Sequence, residues 1–278
     1  MRTSLKQAVG LVGDVVDPIT AAYDAILATE PTVPLLFRLT QYRGQQVLWQ
    51  NAACTVPVAS IGDPVGGVRH PVTGAILAVQ TTDAARPIWG GESVGAVFDG
   101  TGSYMLIPLG VISNGLYSSL VDGGGSVIAV ASFSDDTSSR SLAGIASNSL
   151  DLSFFELNRI VSADTYQVRR RDSAGFGGGT RRSADLIPRL EEPCAILSQS
   201  MDDGETRNVN DEGVSDSYIV SIREESPDAE IGTSFAIGAL NRIDQPPFRF
   251  FDRSVSALLF YGRIVQDVEF LSVSKGML

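Results

Sequence analysis

Short apolar runs separated by glycine-rich and polar turns dominate the chain from residue 94 onwards. No helical pattern alternates with these runs, which argues against a parallel α/β fold. Short runs of this kind, bounded by turns, predict an all-β protein with an antiparallel β-sandwich, a concanavalin A-like jelly roll. We predict strands over residues 94–99, 104–108, 126–133, 142–147, 151–157, 165–171, 193–200, 217–223, 233–240 and 254–262.

One short helix is predicted before the sandwich, in an N-terminal arm. Asp17 can cap it and Pro18 suits its first turn. Apolar side chains recur at helical spacing, so one face must be buried. That face either packs on the protein's own sandwich or docks onto a neighbouring subunit as an assembly helix, and both interpretations stay open. Its residues are Ile19, Tyr23, Ile26 and Leu27, with Ala22 between them.

Composition changes divide the chain into three predicted regions. Residues 1–34 form the anchoring arm with its helix. Residues 35–92 are rich in small residues, proline and glycine, and predict an extended strap with short edge strands. Residues 93–278 form the sandwich, and a chain of 278 residues with 44% hydrophobic positions can bury such a core.

The charge of the chain limits its partners. Its formal net charge is −11, which argues against binding to nucleic acid or to an anionic membrane. No apolar run is long enough for a membrane span, and no signal-peptide cleavage site is evident. The two cysteines, Cys54 and Cys194, are too few for a disulfide-stapled secreted domain, so we expect reduced thiols and synthesis in the cytosol.

Two windows resemble known families. The window from Leu48 to Trp89, followed by a Phe-Asp-Gly opening, is similar to a segment of tailed-bacteriophage structural proteins that precedes a laminin-G-like domain. Its matching marks are Trp49-Gln50, Thr55 to Val58, Gly62 to Gly66, Ala78 to Thr81, Arg86-Pro87 and Phe98-Asp99-Gly100. The second window, Ile237 to Asn241 with Phe250 to Phe270, resembles the closing strands of laminin-G-like domains. Arg253 replaces the usual turn glycine in it, and the usual acidic residue before the tyrosine is absent.

The resemblance implies a non-enzymatic phage virion protein of the tail, baseplate or fibre, with a head-decoration or head-fibre protein as the alternative. Such a protein would be made in the host cytoplasm and located in the virion. Its N-terminal region would assemble with other virion proteins, and a homo-oligomer, with a trimer as one option, would follow from virion symmetry. The sandwich would contact other subunits or a host-surface glycan or lipopolysaccharide.

Catalytic patterns are weak. The single histidine, His70, precedes Pro71 in a predicted turn and lacks triad or metal partners. Concanavalin A-like glycosidases present two carboxylates on one strand face, whereas Asp151 and Glu156 have opposite-face spacing. A glycan-cleaving enzyme is therefore the least favoured of the functions that we consider.

An acidic stretch from Met201 to Gly213 is a candidate calcium site. It concentrates oxygen ligands of the kind that Ca²⁺ prefers, but without EF-hand spacing. The simpler interpretation is a solvated hairpin that turns at Asp203-Gly204. The candidate ligands are Asp202, Asp203 and Asp211.

A basic, glycine-rich stretch from Gln167 to Leu186 is a candidate contact surface. Two antiparallel arms would gather its arginines around an exposed phenylalanine, where they would bind phosphate or carboxylate groups of a glycan or of a partner subunit. The alternative is that the arginines only face solvent. The candidate contact residues are Arg169, Arg171, Phe176, Arg181 and Arg182.

The strand aromatics Trp89, Tyr104, Tyr117 and Tyr261 are more typical of core positions, so no sugar site is predicted from them.

Overall fold

The computed structural model describes residues 17–108, 110–121, 123–133, 140–146, 154–160, 165–171, 192–201, 205–219, 234–241 and 246–278. In these residues the chain forms two large antiparallel sheets, a short two-stranded ribbon and three α-helices. The elements follow in chain order: α1 (Pro18–Ala28), β1 (Val33–Leu36), β2 (Gln41–Tyr42), β3 (Gln45–Gln46), β4 (Leu48–Trp49), β5 (Gly67–Arg69), β6 (Ile76–Val79), a 3₁₀ turn (Asp83–Ala85), β7 (Ile88–Trp89), β8 (Ala96–Val97), β9 (Met105–Pro108), α2 (Asn114–Val121), β10 (Gly125–Ser132), β11 (Arg140–Ala146), β12 (Phe154–Ile160), β13 (Thr165–Arg171), β14 (Pro193–Ser200), β15 (Glu205–Asn210), β16 (Ser215–Ile219), β17 (Ser234–Ile237), β18 (Leu240–Asn241), β19 (Ser254–Tyr261) and α3 (Asp267–Met277).

The first sheet has the strand order β16-β15-β14-β10-β19-β8-β7, with β1 also paired to β19. The second has the order β13-β12-β11-β17-β9-β6-β5-β4, and β18 pairs parallel to β11. Their facing sides share one hydrophobic core, which confirms the predicted all-β antiparallel sandwich.

Both faces of the central strands β10 and β19 are covered, so every residue of these strands is buried. The second sheet packs on one face, where the rings of Phe133 and Phe251 meet at 5.8 Å between centroids. On the other face, the backbone N–H of Val265, just before α3, donates to Ser126 Oγ at 3.0 Å. Strands buried on both faces lose the apolar–polar alternation, as β10 does.

Helix α1 begins as predicted, because Asp17 accepts a hydrogen bond from the Thr20 N–H at 3.0 Å. Its apolar face lies inside the protein's own core. Tyr23 and Ile26 are both 0% exposed, and the Tyr23 hydroxyl accepts the backbone N–H groups of Arg38 and Leu39 at 3.0 and 3.1 Å. These side chains are therefore already occupied, which corrects their interpretation as an assembly helix. The other two members of that set, Ile19 and Leu27, are partly buried against the same core.

The predicted strap is incorporated into the sandwich. Strands β4, β5 and β6 belong to the second sheet and β7 to the first, and β4 and β7 end the two sheets in the described residues. The described part of residues 17–92 thus shares one core with the rest, while the boundaries at residues 34 and 92 stay a prediction.

Two helices were not predicted. Helix α2 contacts β10 and β14 of one sheet and β12 of the other, and α3 packs on α1, β10 and β14. The Arg207 guanidinium donates two hydrogen bonds of 2.6 Å to Asp267 and so fixes the start of α3 to β15. No helix in the described part of the chain combines the length and hydropathy that a membrane crossing requires.

Candidate functional site

The segment from Phe248 to Arg253 runs beside the end of the second sheet. Leu240 exchanges two backbone hydrogen bonds with Phe248, at 2.9 and 3.1 Å, and the Ser141 N–H donates to the Arg249 carbonyl at 2.8 Å. Arg249 has a φ of 57°, in the left-handed region that residues other than glycine rarely adopt. A backbone outlier of this kind is a reason to look for function at the position.

Arg249 pairs with a fully buried carboxylate. Glu156 lies on β12 and is 0% exposed, and Arg249 Nη1 lies 3.1 and 3.3 Å from its two carboxylate oxygens. Leu157, the next residue, is in the core, so Glu156 points to the outer face of the second sheet. The guanidinium carbon of Arg249 also lies 5.4 Å from the centroid of the Phe248 ring. A buried carboxylate needs such a partner, and the pair holds the arginine in one orientation.

Two more aromatic residues belong to the same part of the chain surface: Phe250 follows Arg249 in the chain, and Tyr104 packs against Phe250. The rings of Tyr104 and Phe250 are 6.2 Å apart at an angle of 40°, and Tyr104, Phe248 and Phe250 are all partly exposed. We name the patch formed by Tyr104, Phe248, Arg249 and Phe250 the aromatic–arginine surface. It combines flat apolar faces with a planar set of N–H donors, which together suit a ring that has one apolar face and a polar rim.

The turn from Asp99 to Tyr104 supports this surface. Although burial alone raises the pKa of the Asp99 carboxyl, hydrogen bonds from the backbone N–H groups of Thr101, Gly102 and Ser103 and from the Ser103 hydroxyl hold that pKa well below its usual range. Four donors around one carboxylate fix the turn.

Arg140 ties this turn to the neighbouring segment. Its Nη1 donates to the carbonyl of Gly100 at 2.7 Å and to that of Phe250 at 3.1 Å, and its Nε lies 3.9 Å from Asp252. Gly100 has a φ of 73°, and a Cβ there would lie 2.6 Å from the Asp252 Cβ. The surface is thus held from two sides.

The basic candidate residues fall mostly outside the described part of the chain. Strand β13 pairs with β12, and the register places Arg169 opposite Glu156 and Arg171 opposite Phe154. Phe176, Arg181 and Arg182 lie outside the described residues, so the contact surface proposed for this set stays a prediction.

Only one of the three candidate calcium ligands lies in the described residues, so the calcium site stays a prediction. Strand β15 occupies Glu205–Asn210, in the middle of the acidic stretch. Asp211 follows β15 in the turn to β16, while Asp202 and Asp203 lie outside the described residues. In the described residues no group of three or more histidine, cysteine or acidic side chains is placed to hold a metal ion.

His70 lies in a turn, as predicted. Its Nδ1 accepts the backbone N–H groups of Val72 and Thr73 at 3.1 and 3.2 Å, and burial lowers the pKa of the ring. These contacts give His70 a local structural role.

Sequence reasoning missed the residues that form the aromatic–arginine surface. Tyr104 was assigned to a core position and Glu156 was considered only as half of a carboxylate pair. The dense aromatic and basic run FRFFDR at Phe248 to Arg253 is the sequence signal that could have indicated the surface. The role of this run in a surface depends on tertiary contacts, which place Glu156 of β12 beside Arg249.

Comparisons with known proteins identify the fold. No family model and no curated protein matches the chain. A sialidase of Trypanosoma rangeli, in complex with 2,3-difluorosialic acid, is similar over 93% of this chain and 38% of its own, with a TM-score of 0.53 and 11% identity. A CBM40 domain of the Ruminococcus gnavus IT-sialidase, bound to α2,3-sialyllactose, is similar over 57% of this chain and 85% of its own, with a TM-score of 0.46 and 12% identity. The Streptococcus pneumoniae NanB sialidase is similar over 60% of this chain and 26% of its own, with a TM-score of 0.45 and 15% identity. The chain therefore spans well under half of the two sialidases, and the likeness shows the fold alone.

These comparisons correct the function inferred from the sequence. The interpretation as a phage virion structural protein was wrong, because a solved structure that shares this fold over most of the chain is a sialidase, and no phage family model or curated phage protein matches the chain. The short-window resemblance to phage proteins, and the virion location inferred from it, stay predictions without a matching family. The chain is assigned a sandwich fold, and its function has to be argued from the aromatic–arginine surface.

Proposed function

We propose that this protein is a non-catalytic carbohydrate-binding β-sandwich, and that it binds a glycan at the aromatic–arginine surface. The observation that carries the proposal is that the partly exposed Phe248 ring lies against the fixed guanidinium of Arg249, while Phe250, the next residue, packs its partly exposed ring against Tyr104. The apolar C–H face of a sugar ring packs against such rings, and its hydroxyl rim accepts hydrogen bonds from arginine.

The two carboxylates next to the aromatic–arginine surface, Glu156 and Asp252, favour glycan binding over glycan hydrolysis. A glycosidase needs one carboxyl as an acid and a second as a nucleophile or base, both open to the glycosidic bond. Glu156 is completely buried under Arg249, and Asp252 lies beside Arg140. Both carboxylates hold arginines in place. The sialyllactose seen on the CBM40 domain belongs to that domain, and it suggests only which glycans to include in a first screen.

A glycan array that contains sialylated, uronic-acid, sulfated and neutral glycans tests the proposal. We expect selective binding by the wild-type protein and a loss of about tenfold or more in affinity for Tyr104→Leu, which keeps apolar volume but removes the flat ring. Arg263→Gln is the matched control, because Arg263 stacks on Tyr261, 5.2 Å from the ring centroid, beside α3 on the other side of the first sheet.

Three results would overturn the proposal. One is the absence of any selective binding, and another is unchanged binding by a folded Tyr104→Leu protein. The third is release of sugar products from a bound glycan, which would show that the protein is catalytic.

A further inference from the structure

A second arginine–aromatic pair lies on the outer face of the second sheet, at its other edge. Trp49 on β4 and Arg69 on β5 are both partly exposed, and the Arg69 guanidinium carbon lies 5.3 Å from the centroid of the Trp49 ring. The Arg69 Nε and the indole Nε1 of Trp49 are buried without a hydrogen-bond partner in the structure. This pair therefore has polar groups that the fold itself does not use.

Arg69 also carries a charge that the described residues leave unneutralised. No ion pair involves it in that part of the chain, although six other arginines there each have a carboxylate within 4 Å. These paired arginines are Arg43, Arg86, Arg140, Arg207, Arg249 and Arg263. In an acidic protein with a net charge of −11, an arginine of this kind, half-buried on an aromatic ring, is a local site for an anionic group.

The strand register places the Trp49–Arg69 pair and the aromatic–arginine surface on the same face of the second sheet. Trp49 is opposite Gly67, Gly67 is opposite Val79, and Val79 is opposite Leu106, so these residues form a row on one face of the sheet. Val79 and Leu106 are partly exposed and continue this row from Trp49 towards the aromatic–arginine surface. Tyr104, which belongs to that surface, precedes Leu106 by two residues and so shares its face. Three strand spacings separate β4 from β9, which is roughly 15 Å and is longer than a single sugar ring.

We propose that the glycan bound by this protein is an acidic oligosaccharide of several sugar units. Its sugar rings lie on the aromatic–arginine surface, and a carboxylate or sulfate group farther along it pairs with Arg69 beside Trp49. The inference rests on the proposed function and adds the ligand class, its minimum length and the residue that selects its charge.

Calorimetric titration of the full chain with defined sugars tests this inference. The acidic probes are hexagalacturonate, which carries carboxylates, and a heparin-derived hexasaccharide, which carries sulfates; the neutral probe is galactohexaose, and the short acidic probe is digalacturonate. We expect one or both acidic hexasaccharides to bind about tenfold or more tightly than the neutral and the short probes, since simultaneous contact at two places adds affinity. The comparison between the two acidic probes shows which anionic group is preferred.

Matched variants separate this inference from the proposed function. Arg69→Gln should reduce the affinity for the acidic hexasaccharides to that for galactohexaose and leave galactohexaose binding unchanged, and Trp49→Leu should act in the same direction. Tyr104→Leu should weaken the binding of every probe, and Arg263→Gln should weaken none.

Unchanged preference for acidic hexasaccharides in Arg69→Gln would overturn the inference and leave the proposed function standing. Equal affinity of the wild-type protein for all four probes would do the same, and so would self-association that Trp49→Leu abolishes, because a second copy would then occupy this face. Failure of all four probes to bind overturns the inference as well, and the array result then decides the proposed function separately.

Discussion

Arg249 and Glu156 are 93 residues apart in the chain, and their side chains form an ion pair of 3.1 Å at the end of the second sheet. The carboxylate is fully buried, whereas 31% of the arginine side chain is exposed. The pair thus connects the sheet interior to the surface on which the aromatic rings lie. Because a buried carboxylate without its cation is costly, this contact also fixes the segment that carries Phe248 and Phe250.

Removal of the buried charge should destabilise the protein. We expect Glu156→Gln to lower the free energy of unfolding by about 1–3 kcal/mol, a range that allows for the solvent exposure of Arg249. Urea unfolding followed by circular dichroism measures this. Glu269→Gln is the control, because its pair with Arg263 lies at the surface and should contribute less than about 1 kcal/mol. Equal losses in the two variants would contradict the prediction.

A glycine contact should be essential to the packing of the two sheets. Gly238 has a φ of 79°, and a Cβ there would lie 2.2 Å from the Phe98 ring, which is buried. Gly213 has a similar φ of 81° but no atom within 4 Å of such a Cβ. We expect Gly213→Ala to cost about 1 kcal/mol through backbone strain, and Gly238→Ala to cost at least about 2 kcal/mol more through overpacking. Thermal unfolding of both variants checks this, and similar melting temperatures would show that the ring moves aside freely.

The Tyr23 hydroxyl should stabilise the junction between α1 and the strands. Tyr23→Phe leaves the backbone N–H groups of Arg38 and Leu39 without their acceptor, so we expect a loss of about 2–4 kcal/mol. Tyr261→Phe removes one hydroxyl contact, with Thr29, and should cost about 1 kcal/mol. Chemical denaturation of the two variants side by side is the measurement. A smaller loss for Tyr23→Phe than for Tyr261→Phe would mean that α1 is not an integral part of the core.

The Asp99 turn should make stability depend on pH. Its pKa is lower in the folded protein than the ordinary value of 3.8, so the folded state favours the ionised carboxylate. The stabilisation is therefore complete above the ordinary value and is lost as the pH falls below it. We expect the melting temperature of Asp99→Asn to fall less steeply than that of the wild type below about pH 4. Parallel curves would rule out this contribution.

Local patterns were enough to predict most of the strands. The predicted run 165–171 matches β13, the run 193–200 matches β14, and the run 254–262 matches β19 to within one residue. These strands are marked by apolar or alternating residues between turns, and this information is present in each segment by itself. Helix α3 was not predicted, although Phe270, Val273 and Met277 form a buried helical face.

The sequence alone determined the fold class, the capped start of α1 and the turn at His70, because each depends on residues that are neighbours in the chain. The tertiary structure decided what the residues of the candidate site do. Register brought Glu156 beside Arg249 and placed Trp49 and Tyr104 on one face of one sheet. Such contacts join positions far apart in the chain, and one register shift would turn each strand residue to the opposite face, so no local pattern could specify them.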